Sequence, residues 1–248
     1  MDVDGGAAEW FDVTAVGAVA ALDDAARRSI YAFVAASGGP VTRAHVAHAV
    51  GISRKLAAFH LDKLVRVGLL VTRTDTARAS VTRGRRPKVY ERSSTDVAVT
   101  LPARRPADLA DMLVEAIGTA TPDEPARTAA IRVAEQRGRD LGAATRTQVR
   151  GGRIGAERAL MLGESVLRER GFEPLREAPT TLSLRNCPYR PVAGDAPELV
   201  CHMNQRFFAG FLAGLGADSV QAHLVPRDRE CCVELRDANR PPAHATAE

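Results

Sequence analysis

Four cysteines are the side chains best suited to chemistry, and all lie in the last quarter of the chain. Cys187 and Cys201 bracket thirteen residues with three prolines in NCPYRPVAGDAPELVC, and Cys231 and Cys232 follow in RECCVEL. A thiolate binds soft metals and exchanges with disulfides, whereas a neutral thiol packs as a small hydrophobe. The spacing lacks the paired C-x₂₋₄-C knuckles of a structural zinc site. It is compatible with an iron–sulfur cluster gathered by the tertiary fold, with a thiol redox switch, or with inert buried thiols. Cys187 is expected to leave the end of a strand. Cys201 is expected in the first turn of a helix, where the dipole favours thiolate. Cys231 and Cys232, adjacent in a strand, would point to opposite faces, so one of them joins the other two; periodicity does not say which.

The elements that must hold these cysteines form a C-terminal half of mixed type. TLPARRPADL, with two prolines, reads as an exit from a preceding domain, followed by a connector helix over Ala107 to Ile117 of the kind that pairs between subunits. Thr121-Pro122-Asp-Glu reads as a capped helix start leading into IRVAEQRGRDLGAATR, where Gly138 and Gly142 sit one turn apart and permit close helix approach. AERALMLGESVLRERG should bury Ala159, Leu160, Gly163, Val166 and Leu167 and stop at Gly171. TTLSLRN alternates as a strand, Leu199 to Leu215 reads as an apolar helix, and SVQAHLV and ECCVELR alternate again. A small α+β sensor domain over 121–238 with a three-stranded antiparallel sheet is expected.

The N-terminal half carries a different signal. Residues 1–20 are weakly specified, and LDDAARRSIYAFVAASGG reads as a helix closed by Gly38–Gly39. Pro40 and Val41 suit a very short strand. Thr42 caps TRAHVAHAV, closed by Gly51, and Ser53 caps SRKLAAFHLDKLVRVG, closed by Gly68. Two helices joined by Gly-Ile-Ser have the helix-turn-helix signature. Ala57, Leu61, Leu64 and Val65 should pack inward, with His60 a partly buried, hydrogen-bonded core residue. Arg54, Lys55, Ala58, Phe59 and Asp62 should face outward. LLVTRT and KVYERS around the arginine-rich DTARASVTRGRRP make a wing. The candidate DNA contacts are Arg43, Ser53, Arg54, Lys55, Ala58, Phe59, Lys63, Arg83, Arg85, Arg86 and Lys88, the tip arginines meeting phosphates or the minor groove. Phe59 meets a thymine methyl or packs beneath the wing.

Charge agrees with that assignment. Val41 to Arg92 holds nine arginines and all three lysines against Asp62, Asp75 and Glu91, a local +9 within a chain of net +4. Such an excess is the footprint of a phosphate-binding face. The chain's 248 residues suffice for two modest domains, drawn as a winged helix-turn-helix domain over 21–95, a linker and connector over 96–120, the sensor domain, and a tail over 239–248. Apolar residues make up 45% and aromatics 4%, so aliphatic and alanine packing must dominate the core. No run of eighteen apolar residues and no signal-peptide pattern occur, which points to a cytoplasmic protein without membrane insertion, where structural disulfides are disfavoured. There is no glycine-rich phosphate loop after a strand, no GxSxG and no HExxH. Glu164, Glu169 and His223 are scattered, so an enzyme is not expected.

Winged helix, helical connector and N-C-P-Y … L-V-C … C-C-V-E-L, in that order, resemble the SufR-like family of iron–sulfur-responsive repressors, bacterial regulators whose DNA-binding half is related to the ArsR and DeoR types. The resemblance spans about residues 23 to 236; its DNA-binding half is generic and its cysteine pattern specific. It implies a homodimeric repressor whose 2Fe-2S or 4Fe-4S cluster sets affinity for a double-stranded DNA operator, often over genes for cluster assembly. Cys187, Cys201 and one of Cys231 or Cys232 would be ligands. His202, Asp195, Glu198 or an external thiol are candidates for the fourth. The alternative is a winged-helix regulator with a zinc, thiol-redox or small-molecule effector domain and no cluster.

Overall fold

The computed structural model describes residues 12–74, 88–149, 152–227 and 229–239. They form a mixed α+β protein with, among these residues, nine helices and two small antiparallel sheets. The chain divides into two compact units, one ending at Val99 and the other running from Thr100.

The N-terminal unit begins earlier than expected. Helix α1 (Val13–Ala21) is capped by Asp12, whose carboxylate accepts from the amides of Thr14 and Ala15, and it buries Ala15, Ala18 and Ala21. The cap that ties down its first turn makes the latter part of 1–20 ordered rather than weakly specified. Helix α2 (Ala25–Ala36) starts at the Asp24 cap and buries Ile30 and Val34. Strand β1 (Val41–Thr42) precedes α3 (Arg43–Val50), capped by Thr42 and ended by Gly51 at φ 71°. Ser53 caps α4 (Arg54–Arg66), and Gly68 turns the chain at φ 78° into β2 (Leu70–Thr74). Strand β3 (Lys88–Arg92) lies between β1 and β2, pairing Tyr90 with Val41 and with Thr72. Ile30, Val46, Ala57, Leu61, Leu64 and Leu70 form the core of this unit.

In the C-terminal unit, α5 (Pro106–Thr119) starts with proline at its first position, where the missing N–H costs nothing. Helix α6 (Ala126–Thr147) does not start at Thr121. Pro125 disfavours helical backbone at Glu124, so the helix begins beyond it, and Glu124 pairs instead with Arg132 at 2.9 Å. Helix α7 (Ala156–Glu169) buries Ala159, Leu160, Gly163 and Leu167, with Val166 only half-buried.

The sheet has four strands rather than three, in the order β4-β5-β7-β6: β4 (Pro174–Ala178), β5 (Thr181–Leu184), β6 (Val220–Leu224) and β7 (Val233–Asp237). The extra strand, β4, is an edge whose proline occupies its first residue, a position that needs no ladder donor. All four residues of β5 are buried, so it does not alternate between core and solvent. Between β5 and β6 the chain forms a short helix α8 (Val192–Asp195) and then α9 (Pro197–Leu215).

Helices α6 and α9 run parallel with their backbones touching. A Cβ on Gly138 would lie 1.9 Å from the Phe207 carbonyl oxygen, and one on Gly142 2.1 Å from that of Phe211. Gly210 and Gly214 make the reciprocal approach, 2.0 Å from the carbonyl oxygens of Glu135 and Arg139. Only glycine fits at these four positions. This seam fixes the helix that carries Cys201. No helix among the described residues is long and apolar enough to cross a membrane.

Candidate functional site

The cysteines converge from three segments. Cys187 follows β5 in a turn closed by the Arg190 amide on its carbonyl, at 3.2 Å. Cys201 sits on α9, and Cys231 and Cys232 precede β7. The last pair is not in a strand. The Cys231 amide donates to Leu184 at 2.9 Å, and the Cys232 carbonyl accepts from Val225 at 2.7 Å. This bend frees both sulfurs from strand alternation, so both join the site. Cys187 and Cys231 are buried, while Cys201 and Cys232 are half-buried; none forms a disulfide.

The thiols perturb one another pairwise, in the order Cys187, Cys231, Cys232, Cys201. The acidities alternate along this row. The hydrogen bond from Cys231 holds Cys187 below the ordinary thiol value, outweighing burial, with the Tyr189 amide and Arg190 adding to it. Cys231, bonded to both neighbours and enclosed, is pushed well above. Cys232 falls to about 7, chiefly because Cys231 bonds to it, with Cys201 and Arg190 assisting. Burial and then the bond with Cys232 raise Cys201 to about 12. The expectation of a dipole-favoured thiolate at Cys201 is therefore corrected. With the helix starting at Pro197, Cys201 lies in its second turn, where the dipole has fallen off, and desolvation wins.

Two polar groups complete the shell. The Asn204 side-chain amide donates to Cys231 Sγ at 3.1 Å, while its buried Oδ1 has no partner among the described residues. Arg190 lowers Cys187, Cys201 and Cys232 electrostatically. Four sulfurs, an amide donor, a cation and an orphaned buried oxygen suit a thiophilic metal centre better than a hard-cation site. Their arrangement is a row of pairwise contacts. Among the described residues, no three His, Cys, Asp or Glu side chains enclose a common point as a metal cage does.

The other candidate ligands point elsewhere. His202 Nδ1 bonds to the Glu198 carbonyl at 2.7 Å, and Glu198 faces Arg127 at 3.7 Å. Asp195 closes α8. Asn204 was missed from the sequence because a buried asparagine in an apolar helix is noticed only once its neighbours are known.

In the N-terminal unit, Arg43, Ser53, Arg54, Lys55, Phe59 and Lys88 are exposed, whereas Ala58 and Lys63 are half-buried. Ser53 is engaged as the α4 cap, accepting from the Leu56 amide at 3.2 Å. Phe59 is 64% exposed, so it does not pack beneath the strands. His60 is buried, but its Nδ1 has no hydrogen-bond partner among the described residues, which corrects the expectation of a satisfied core histidine. Asp62 is exposed, and its negative charge adds to burial in raising the Tyr90 phenol above its ordinary value. Arg83, Arg85 and Arg86 lie outside the described residues. Arg54 and Lys55 thus project from the first turn of a capped helix, beside an exposed aromatic ring. No family model, curated protein or solved structure matches the chain.

Proposed function

We propose that the chain is a cytoplasmic, homodimeric DNA-binding regulator, a repressor of SufR-like type, whose cysteines hold an iron–sulfur cluster that tunes affinity for a double-stranded operator. The observation that carries this reading is the gathering of all four cysteines, from three separate segments, around one amide donor and one arginine. Cys187, Cys231, Cys232 and Cys201 would hold the group, Asn204 would donate to a ligand sulfur, and Arg190 would offset its negative charge. When bound, such a cluster supplies one-electron redox chemistry and sensitivity to iron supply and oxidants.

The DNA-binding part of the reading is supported by α3, the Gly51-Ile52-Ser53 turn and α4, followed by the β2–β3 pair, the arrangement of a winged helix-turn-helix. In that reading α4 enters the major groove with Arg54 and Lys55 leading. Dimerisation is supported by α5, where Ala107, Ala110, Val114 and Ile117 form an exposed apolar stripe in the 3-4-3 spacing of a helix-pairing seam. Val114 is 69% and Ile117 77% exposed. Two recognition helices then read two half-sites.

A second reading keeps the regulator and replaces the cluster with zinc or a thiol pair. It is favoured by the pairwise influence of the thiols on one another's acidity and the absence of an enclosed cage among the described residues. Absorption spectra with iron and sulfide assays on protein purified without oxygen, beside Cys187→Ser, separate the two. Brown wild type and colourless variant support the cluster. A colourless, iron-free wild type after reconstitution refutes it.

A further inference from the structure

The segment entering the C-terminal unit is bolted to the cysteine turn. The Thr100 hydroxyl oxygen accepts from the Arg104 amide at 2.8 Å. The Arg104 guanidinium donates to Asn186 Oδ1 at 2.5 Å and reaches the Cys187 carbonyl at 3.4 Å. The Asn186 side-chain amide donates to the carbonyls of Ala103 at 3.0 Å and Gly171 at 2.6 Å. The Arg105 amide donates to the Pro188 carbonyl at 2.8 Å.

Asn186 is 5% exposed, and both ends of its amide are used. Gly171, at φ 79°, completes the clasp: a Cβ there would lie 3.0 Å from the Ala103 Cβ and 3.4 Å from that of Pro188. Residues 103–105 are therefore held by the three consecutive residues Asn186, Cys187 and Pro188, the middle one being a candidate ligand. Their chain neighbours on one side lead to Val99, the end of the N-terminal unit, and on the other to α5 with its apolar stripe.

From these bonds we infer that Arg104 and Asn186 are positioning residues of a latch, through which the state of the cysteine site sets the order of the 100–105 connector. The inference rests on the reading that the cysteines bind a metal group. Contact geometry at Cys187 differs between a sulfur bonded to metal and one hydrogen-bonded to Cys231. Any such shift moves the Cys187 carbonyl and the Asn186 and Pro188 groups that grip the connector. A buried, fully used amide transmits movement because neither end can give without losing a bond.

Hydrogen–deuterium exchange on the full chain tests this, following peptides that cover residues 100–108. The protein is compared after loading with iron and sulfide and after stripping with a chelator. The expected result is exchange at the Arg105 amide about tenfold faster in stripped protein, the scale of one ordinary hydrogen bond lost. Arg104→Ala, with the iron content of wild type, should exchange fast in both states. Equal exchange in loaded and stripped wild type overturns the latch and leaves the cluster reading standing, as does an Arg104→Ala variant that responds like wild type. If wild type takes up no iron, the cluster reading fails by itself, and phenylarsine oxide, which bridges neighbouring thiols, decides the latch. A tenfold change in connector exchange on adding it supports the latch, and no change overturns it.

Discussion

Replacing Gly138 by alanine tests whether the α6–α9 seam positions the cysteine helix. The new Cβ would stand 1.9 Å from the Phe207 carbonyl oxygen, against the 3.4 Å at which ordinary contact begins, so the helices must part by the difference, 1.5 Å. The obstacle is backbone, and no rotamer change relieves it. Overpacking of this kind costs about 1–3 kcal/mol, the upper end where nothing flexible can yield. Alanine returns up to about 1 kcal/mol in helix propensity, leaving a net destabilisation of about 2 kcal/mol. Gly118, in α5 of the same unit, has nothing among the described residues within 4 Å of its Cβ position. There the same substitution should stabilise by up to about 1 kcal/mol. Urea unfolding followed by far-UV circular dichroism reads both, the variants being compared transition by transition because two units need not unfold together. A Gly138→Ala protein within about 0.5 kcal/mol of wild type, the scatter of neutral surface changes, would refute the argument that backbone contact sets the helix spacing.

Three further outcomes are expected. Arg54→Ala and Lys55→Ala should each weaken binding to a random-sequence 30-base-pair duplex and, if they also meet phosphates there, lower the salt-dependence slope by about 0.9 per lost phosphate contact, read by fluorescence anisotropy from low to moderate salt; unchanged affinity and slope together would remove these residues from the interface. In iron-free protein, timed iodoacetamide labelling with peptide mass spectrometry should modify Cys232 before Cys201. At pH 8 about nine-tenths of a thiol titrating at about 7 is thiolate, against about one part in ten thousand at about 12, so Cys232 labelling should be half-maximal near pH 7. Ile117→Glu should turn a sedimenting dimer into monomer if the α5 stripe pairs two copies, and an unchanged dimer would place the contact elsewhere.

Where side chains act on their own backbone, the sequence was readable. Thr42 and Ser53 cap the helices they precede, and Gly51 and Gly68 turn the chain with left-handed backbone. Helix α1 was missed because it buries only alanines, a face too weakly apolar to stand out, although Asp12 carried the cap signal. Strand β4 was missed because Pro174 reads as a stop after α7 when it is also a permitted first strand residue. Gly138 and Gly142 announced close approach, but not to which helix. The answer needed Gly210 and Gly214, hidden in an apolar run where glycine ordinarily signals only weakness.

The cysteine site shows the limit of pattern most sharply. Alternation, applied to RECCVEL, allowed one of two neighbouring thiols into the site. The dipeptide lies just before β7, its Cys231 amide on the Leu184 carbonyl and its Cys232 carbonyl on the Val225 amide, and both thiols enter. Its chemistry then follows from neighbours distant in sequence. Cys231 and Cys201 keep their protons, while Cys187 and Cys232 are the sulfurs disposed to lose them. A soft metal group bound by all four must also displace the protons of Cys231 and Cys201, the two thiols least willing to part with them. Uptake should therefore weaken as pH falls, and the Asn204 amide at Cys231 with Arg190 beside the other three offsets part of that cost. Asn204→Leu, which keeps the volume and removes the donor, should lower iron retention at pH 6 more than at pH 8, and equal retention at both would show that the amide does no more than fill space.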